Sequence, residues 1–315
     1  MSWACSGWLA PYLNDTRSVL AGMEKSWHTP VLLEEVLDFL RIQPDGTYLD
    51  ATIGTGGHAE GILARLTSGR LIGVDRDPIA LEIAQERLRP FQSKLTLVQN
   101  NFARLTEIQQ RLSLGQLDGI LADLGVSSLQ LDAPERGFSF QRAGPLDMRM
   151  NPNDPVPAAE LVNHFPQEKL AEVIRRYGEE RSARKIARAI VRARPVRDTQ
   201  HLAQVVAGTQ KGRQKLHPAT RTFLALRIAV NRELEELEQF LRRVPATLKF
   251  GGRVVVLSYH SLEDRLVKQA FRAGATVGTL RVLTPKPVRP TAAEVRTNPR
   301  ARSAKLRVAE KLGEN

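Results

Sequence analysis

Between residues 48 and 124, strand-like and helix-like patterns alternate without interruption, and this rhythm narrows the fold more than any other feature of the chain. Tyr48–Ile53, Arg70–Asp75, Leu95–Gln99 and Leu117–Leu124 are apolar runs of strand length. Between them, Gly57–Leu66, Pro78–Leu88 and Leu105–Leu112 read as helices, the second with proline in its first turn. Short strands separated by helices pair in parallel, and the crossover helices cover both faces of the sheet. The spacing predicts an α/β fold built on a Rossmann-like sheet. A further helix opens at Thr29-Pro30 and carries Val31, Leu32, Val36 and Leu40.

After Gly125 the alternation stops. Residues 133–157 are loop-like and rich in Pro, Gly and Asp. Ala158–Phe165, Gln167–Tyr177, Glu179–Arg194 and Thr199–Ala207 then follow as helices, with Thr199 as the expected cap of the last. A long helix is expected after Pro218, with Phe223, Leu226, Val230, Leu234, Leu237 and Leu241 on one face. Gly251-Gly252 ends that connection, Arg253–Tyr259 returns to a buried strand, and Leu262–Phe271 is helical. Leu280–Thr284 and Ala304–Ala309 are two final strands able to pair with each other. The expected organisation is an extension over 1–25, one part of the sheet domain over 26–127 and an all-helical insert over 128–217. The rest of the sheet domain, with a basic tail, occupies 218–315. The extension has neither periodicity nor a secretory pattern, and Met23 competes with Met1 as the start.

Charge points to the partner. The chain has 46 Lys and Arg against 34 Asp and Glu, a net +12. Residues 26–150 hold 12 basic and 16 acidic side chains, a net −4, whereas 160–217 hold 13 and 6, and 272–315 hold 10 and 3, each +7. The excess therefore lies outside the first sheet segment. It is rich in Arg, whose planar fork suits phosphate, which favours a nucleic acid over a merely solvated surface. No apolar run is long enough for a membrane helix. The single cysteine, Cys5, cannot form an internal disulfide, which fits a reducing, cytoplasmic setting.

The first strand leads into Gly54-Thr55-Gly56-Gly57-His58, and the second ends at Asp75, 19 residues after Gly56. Glycines there let a ligand approach the start of a helix, and an acid at the end of the second strand can accept from a ribose diol. Both a dinucleotide and S-adenosylmethionine satisfy this pattern. Asp50, Asp75 and Asp123 close three strands with negative charge, which favours a cationic sulfonium over a pyrophosphate. Asp123 has a plain loop-capping alternative.

Longer stretches resemble a known family. They include His28-Thr29-Pro30-Val31-Leu32-Leu33, Gly54-Thr55-Gly56-Gly57-His58, Asp123-Leu124-Gly125-Val126-Ser127-Ser128 and Glu135-Arg136-Gly137-Phe138-Ser139-Phe140. Gly144-Pro145-Leu146-Asp147-Met148-Arg149-Met150, Tyr177-Gly178-Glu179-Glu180 and His217-Pro218-Ala219-Thr220-Arg221 continue the series. Ser258-Tyr259-His260-Ser261-Leu262-Glu263-Asp264-Arg265 and Asn298-Pro299-Arg300-Ala301-Arg302-Ser303 complete it. In this order they closely resemble the bacterial ribosomal RNA small subunit methyltransferase H family, from about Trp27 to Lys311. The resemblance implies a class I S-adenosylmethionine-dependent methyltransferase sheet with an inserted helical domain. It implies methylation of N4 of one decoding-region cytidine in 16S rRNA, within the small ribosomal subunit. It also implies a cofactor site of Gly56, Gly57, His58, Asp75, Phe102, Asp123 and Gln130.

The chemistry adds its own demands. The exocyclic amine of cytosine is a weak nucleophile, so it must be held in line with the methyl donor and have its N–H groups accepted. DNA amino methyltransferases use an Asp/Asn/Ser-Pro-Pro-aromatic element after the fourth strand, where this chain reads Asp123-Leu124-Gly125-Val126. Asp123 is therefore the first catalytic candidate. His260 is the second, as an acceptor or proton relay, although a lone histidine is more often structural. The six histidines show no metal-ligand spacing, so no metal is expected. Arg184, Lys185 and Arg188 on the insert are the expected phosphate contacts, joined by Arg136, Arg149 and Arg221 from the family-like motifs. Few aromatics lie in the insert, which favours shape and phosphate contacts over base stacking. A nicotinamide-dependent oxidoreductase and a non-catalytic RNA-binding assembly factor remain the competing classes, and a homodimer is left open.

Overall fold

The computed structural model describes residues 29–210 and 216–313, so the extension expected over 1–25 lies outside the described residues. Helix α1 (Leu33–Leu40) precedes β1 (Thr47–Asp50), α2 (Gly57–Arg65), β2 (Arg70–Asp75) and α3 (Pro78–Arg87). Next come β3 (Leu95–Gln99), α4 (Leu105–Arg111), β4 (Leu117–Asp123) and the short α5 (Ser128–Asp132). The helical layer comprises α6 (Ala158–His164), α7 (Gln167–Gly178), α8 (Ala183–Arg192), α9 (Thr199–Ala207) and α10 (Thr220–Asn231). The chain returns through α11 (Glu233–Thr247) to β5 (Leu248–Ser258), α12 (Ser261–Thr276), β6 (Leu280–Val282), α13 (Ala292–Thr297) and β7 (Lys305–Lys311).

The seven strands form one sheet in the order β3-β2-β1-β4-β5-β7-β6. The first five run parallel, β7 is antiparallel to β5, and β6 pairs antiparallel with β7. Alternate residues of each strand feed opposite cores, as the two-residue period of a strand requires. Leu49, Ile72, Ile120 and Val254 face a core that includes Phe240 and Leu241 of α11 and Phe271 of α12. Tyr48, Leu71, Leu121 and Val255 face the other, with Leu37 of α1 and Ile62 and Leu63 of α2. Both faces being covered explains why the strands read as near-continuous apolar runs.

A third core joins Leu170, Ile174, Ile186, Ile190, Leu202 and Val206 of the helices to Phe138, Leu146, Met148 and Met150 of the preceding loop. Phe223 and Leu226 of α10 belong to this core. The helical layer therefore continues beyond residue 217. The long helix expected after Pro218 breaks in two at Arg232, whose φ of 52° is left-handed. The break is held by Asn231, whose side chain accepts from Met150 N–H and donates to the Met148 carbonyl, both at 2.7 Å. The helix expected over Glu179–Arg194 starts only at Ala183, because Glu179 takes a left-handed φ of 47° and ends α7. Asp198, not Thr199, caps α9, accepting from His201 N–H at 2.8 Å. The Thr199 hydroxyl instead bonds to the backbone of Arg142 and Gly144. Gly251-Gly252 lies inside β5, where the pairing with β4 shifts register.

Candidate active site

A cavity of about 610 Å³ opens at the carboxyl ends of the parallel strands. That is the size and place at which open α/β sheets hold ligands. Its floor is the turn after β1. Ile53 N–H donates to the Val74 carbonyl at 2.9 Å, and Gly54 N–H donates to Asp75 Oδ2 at 2.9 Å. Gly56, at φ 86°, precedes the first turn of α2 in a backbone conformation that side chains disfavour. A Cβ at Gly57 would stand 2.7 Å from Pro30 Cγ, so only glycine lets the segment before α1 close over this turn.

Asp75 lines the cavity and also accepts from Asp77 N–H at 2.9 Å. Burial raises its pKa to about 6, against the opposing pull of these backbone donors. Asp50 is 1% exposed and lies beneath the wall, its carboxylate accepting from Thr52 N–H. Burial, with the charges of Asp123 and Asp75, lifts it to about 8. The three strand-end acids thus form an acidic edge, although Asp50 does not line the cavity.

Asp123 is on the wall, with its backbone N–H on Thr52 Oγ1 at 2.7 Å. Tyr259 donates its phenol to Asp123 Oδ1 at 2.7 Å, and His58 Nδ1 lies 3.5 Å from Oδ2. Burial raises the Asp123 pKa, while His58 and Tyr259 oppose the rise. Phe102 is on the opposite wall, edge-to-face on Phe240 with ring centroids 5.3 Å apart.

Gln130 is buried but reaches the cavity. Its carbonyl oxygen accepts from Ser127 N–H, and its amide nitrogen donates to Asp77 Oδ2 at 2.8 Å. The same oxygen receives Arg136 Nη1 at 2.9 Å, while Arg136 Nη2 donates to the carbonyls of Arg149 and Met150. Arg136 was expected to contact RNA phosphate. Its buried guanidinium instead braces the cavity wall, because its donors are committed to a buried carboxylate and two carbonyls. Arg149 forks onto Asp147 at 2.7 and 2.8 Å and donates to the Asp154 carbonyl, which makes it a loop brace too.

His260 was expected near the chemistry. It caps α12, accepting from Glu263 N–H at Nδ1, and does not line the cavity. The neighbouring residue, Tyr259, lines the cavity instead, with its phenol on Asp123. Glu233, His260 and Glu263 bring ligand-type atoms within 4.8 Å of one another. Arg227 already forks onto Glu233 at 2.8 and 2.7 Å, and Glu263 accepts from Tyr259 N–H while lying beside His260. Burial works to raise the Glu263 pKa, but His260 and Arg227 prevail and hold it low. This is a neutralised ion-pair network. Reading the sequence also missed Arg76, which joins Asp154 and Glu236 at the cavity edge. Its only signal was its place directly after Asp75.

The expected phosphate contacts lie on the outer face of the helical layer. Arg184, Lys185 and Arg188 are exposed. None pairs with Glu179 or Glu180: Glu179 binds Arg265 and Ser261, while Glu180 accepts from Ser182 N–H and lies 3.7 Å from Arg221. Lys185 Nζ donates to the Thr209 carbonyl. Arg221 is 54% exposed.

A parallel sheet closed by a reversed hairpin, with a glycine turn and acids at its strand ends, is the architecture of class I methyltransferases. Their methyl donor is S-adenosylmethionine, and the cavity volume with Asp75 and Asp123 on its wall suits this cationic nucleoside. The MraW methylase family matches residues 25–312, and the chain belongs to that family. It is 50% identical over 300 residues to the ribosomal RNA small subunit methyltransferase H of Koribacter versatilis, covering 91% of this chain and 95% of the relative. To its counterpart from a Cyanothece species it is 51% identical, covering 90% and 95%. An rRNA methylase structure from Streptococcus thermophilus aligns at 11% identity and a TM-score of 0.43, over 91% of this chain and 100% of that one. Among the described residues, no helix is long and apolar enough to cross a membrane.

Proposed function

We propose that this protein transfers the methyl group of S-adenosylmethionine to N4 of one decoding-region cytidine in 16S rRNA, in the cytoplasm and within the small ribosomal subunit. The names of its relatives support the RNA class. The amine reading rests on one observation: a carboxylate, Asp123, fixed on the cavity wall by a phenol donor. An exocyclic amine needs an acceptor held in this way, because its lone pair is otherwise delocalised into the ring. When bound, the cofactor supplies an electrophilic methyl group. Asp75 would accept from its ribose hydroxyls and Phe102 would cover its adenine. Gly56 and Gly57 would admit its methionine portion, with His58 and Gln130 completing the wall.

The target base has to leave its stack to enter the cavity. In this reading the helical insert supplies phosphate contacts through Arg184 and Arg188, aided by Arg221. Mapping methylated nucleotides in 16S rRNA by mass spectrometry, from cells with and without the protein, tests the proposal. One cytidine should lose a base methyl group in its absence. An unchanged methylation map rejects the reading.

A further inference from the structure

His58 makes two contacts that cannot both be satisfied by a neutral ring carrying its hydrogen on either nitrogen at will. Nε2 lies 3.0 Å from the Val31 carbonyl oxygen, which can only accept. The ring hydrogen of neutral His58 is therefore on Nε2, and Nδ1 turns a lone pair toward Asp123 Oδ2, 3.5 Å away. Two acceptors facing each other across this gap attract only when a proton enters between them. On the other side, Tyr259 donates to Oδ1. Burial lifts the phenol pKa well above its ordinary value, so it stays a donor. His58 is 6% exposed and meets the cavity beside Asp123.

We propose that His58 is a positioning residue that holds, through Asp123, the proton released by the amine during methyl transfer. The inference rests on the reading of an amine substrate. The amine nitrogen bonds to the methyl carbon while the carbon–sulfur bond breaks and its electron pair stays on sulfur. The nitrogen, now carrying positive charge, releases one proton to Asp123. Moving that proton to His58 Nδ1 converts a repulsive contact into an ion pair and restores the carboxylate. The proton passes to solvent when product leaves. Charged groups near the pair include Asp50 beneath β1, Asp75 at the end of β2 and Glu263 at the start of α12, with Arg227 acting on Glu263.

Two measurements test this. In the apo protein, ¹⁵N histidine spectra should show neutral His58 protonated at Nε2, as its contact with the Val31 carbonyl requires. Neutral His58 protonated at Nδ1 overturns the proposal whatever the substrate proves to be. His58→Gln keeps a donor for Val31 but cannot take the proton. At saturating cofactor it should lose about 10²-fold in single-turnover rate, within the range of proton-transfer catalysis. The loss should persist at saturating cofactor whatever the change in S-adenosylhomocysteine affinity, since His58 also lines the cavity. The acid limb of its rate profile should shift to higher pH, because burial then acts on Asp123 without the imidazole. A normal rate with weakened cofactor binding would make His58 a packing residue of the turn. Absence of methyl transfer by the unmodified protein to undermethylated small subunits would instead reject the substrate reading and leave the spectral test standing.

Discussion

Arg136 Nη1 lies 2.9 Å from Asp77 Oδ2, and both side chains are buried, clamping the loop after α5 to the start of α3. The pair lies behind the cavity lining, and Gln130, which reaches the cavity, shares the same oxygen. Truncating Arg136 to Ala would leave Asp77 charged and short of a donor in the interior. Removing one partner of such a pair costs ~3–5 kcal/mol. Arg136→Ala should therefore lower the denaturation midpoint sharply in chemical unfolding. If the folded variant binds RNA, its salt dependence should match that of the unmodified protein. A stable variant with a flattened salt slope would return Arg136 to the RNA surface.

Asp75 sets a pH limit on cofactor binding. Its pKa of about 6 means that the carboxyl is increasingly protonated as pH falls through that value. A ribose diol needs the ionised form as acceptor, so affinity for S-adenosylhomocysteine should fall between pH 7 and 5. Binding near pH 6 should release protons, seen in calorimetry as a heat that depends on the buffer. Asp75→Asn should weaken binding at neutral pH, since a charge-assisted bond is worth ~1.5–3 kcal/mol, and should flatten the dependence. Equal affinity of the two proteins at pH 7.5 would remove Asp75 from the site.

Asp50 should make the fold less stable as pH rises. Its folded pKa of about 8 lies above the ordinary 3.8, so the folded form keeps a proton that the unfolded chain has lost. The stability it contributes is complete below about pH 4 and is lost progressively as pH rises to 8. Asn in its place can still accept from Thr52 N–H and has no charge to bury. The melting temperature of Asp50→Asn relative to the unmodified protein should therefore climb between pH 5 and 8.5. A difference that stays constant over this range would show that Asp50 ionises normally.

Arg184 and Arg188 are exposed on α8 without the Glu179 or Glu180 partners that could have made them helix supports. Replacing both with Ala should weaken RNA binding and reduce its salt slope by about 0.7–0.9 log units per lost phosphate contact. Thermal stability and cofactor affinity should stay close to those of the unmodified protein. Lys185→Ala should differ, loosening the end of α9, where Lys185 holds the Thr209 carbonyl. A stability loss with an unchanged slope in the double arginine variant would remove α8 from the RNA surface.

The sequence by itself determined the sheet and the floor of the site, since both depend on local pattern. Apolar runs of strand length, the glycine turn and an acid at a strand end are legible because each is set by neighbouring residues in the chain. The pairing of the last two strands was legible for the same reason. Contacts between distant residues decided the rest. His260 and Tyr259 are adjacent in sequence, and only the exit of β5 shows that the tyrosine reaches Asp123, 136 positions away, while the histidine caps a helix. Arg136 reads as a surface base until its guanidinium is found on Asp77, 59 positions earlier. The break at Arg232 depends on Asn231 gripping the backbone near Met150, which helix periodicity cannot register. Periodicity shows which face of an element is buried, but a buried polar group takes whatever partner the packed chain brings within about 3 Å. Tertiary structure alone decided which of the charged side chains would be spent inside the fold and which would remain on its surface.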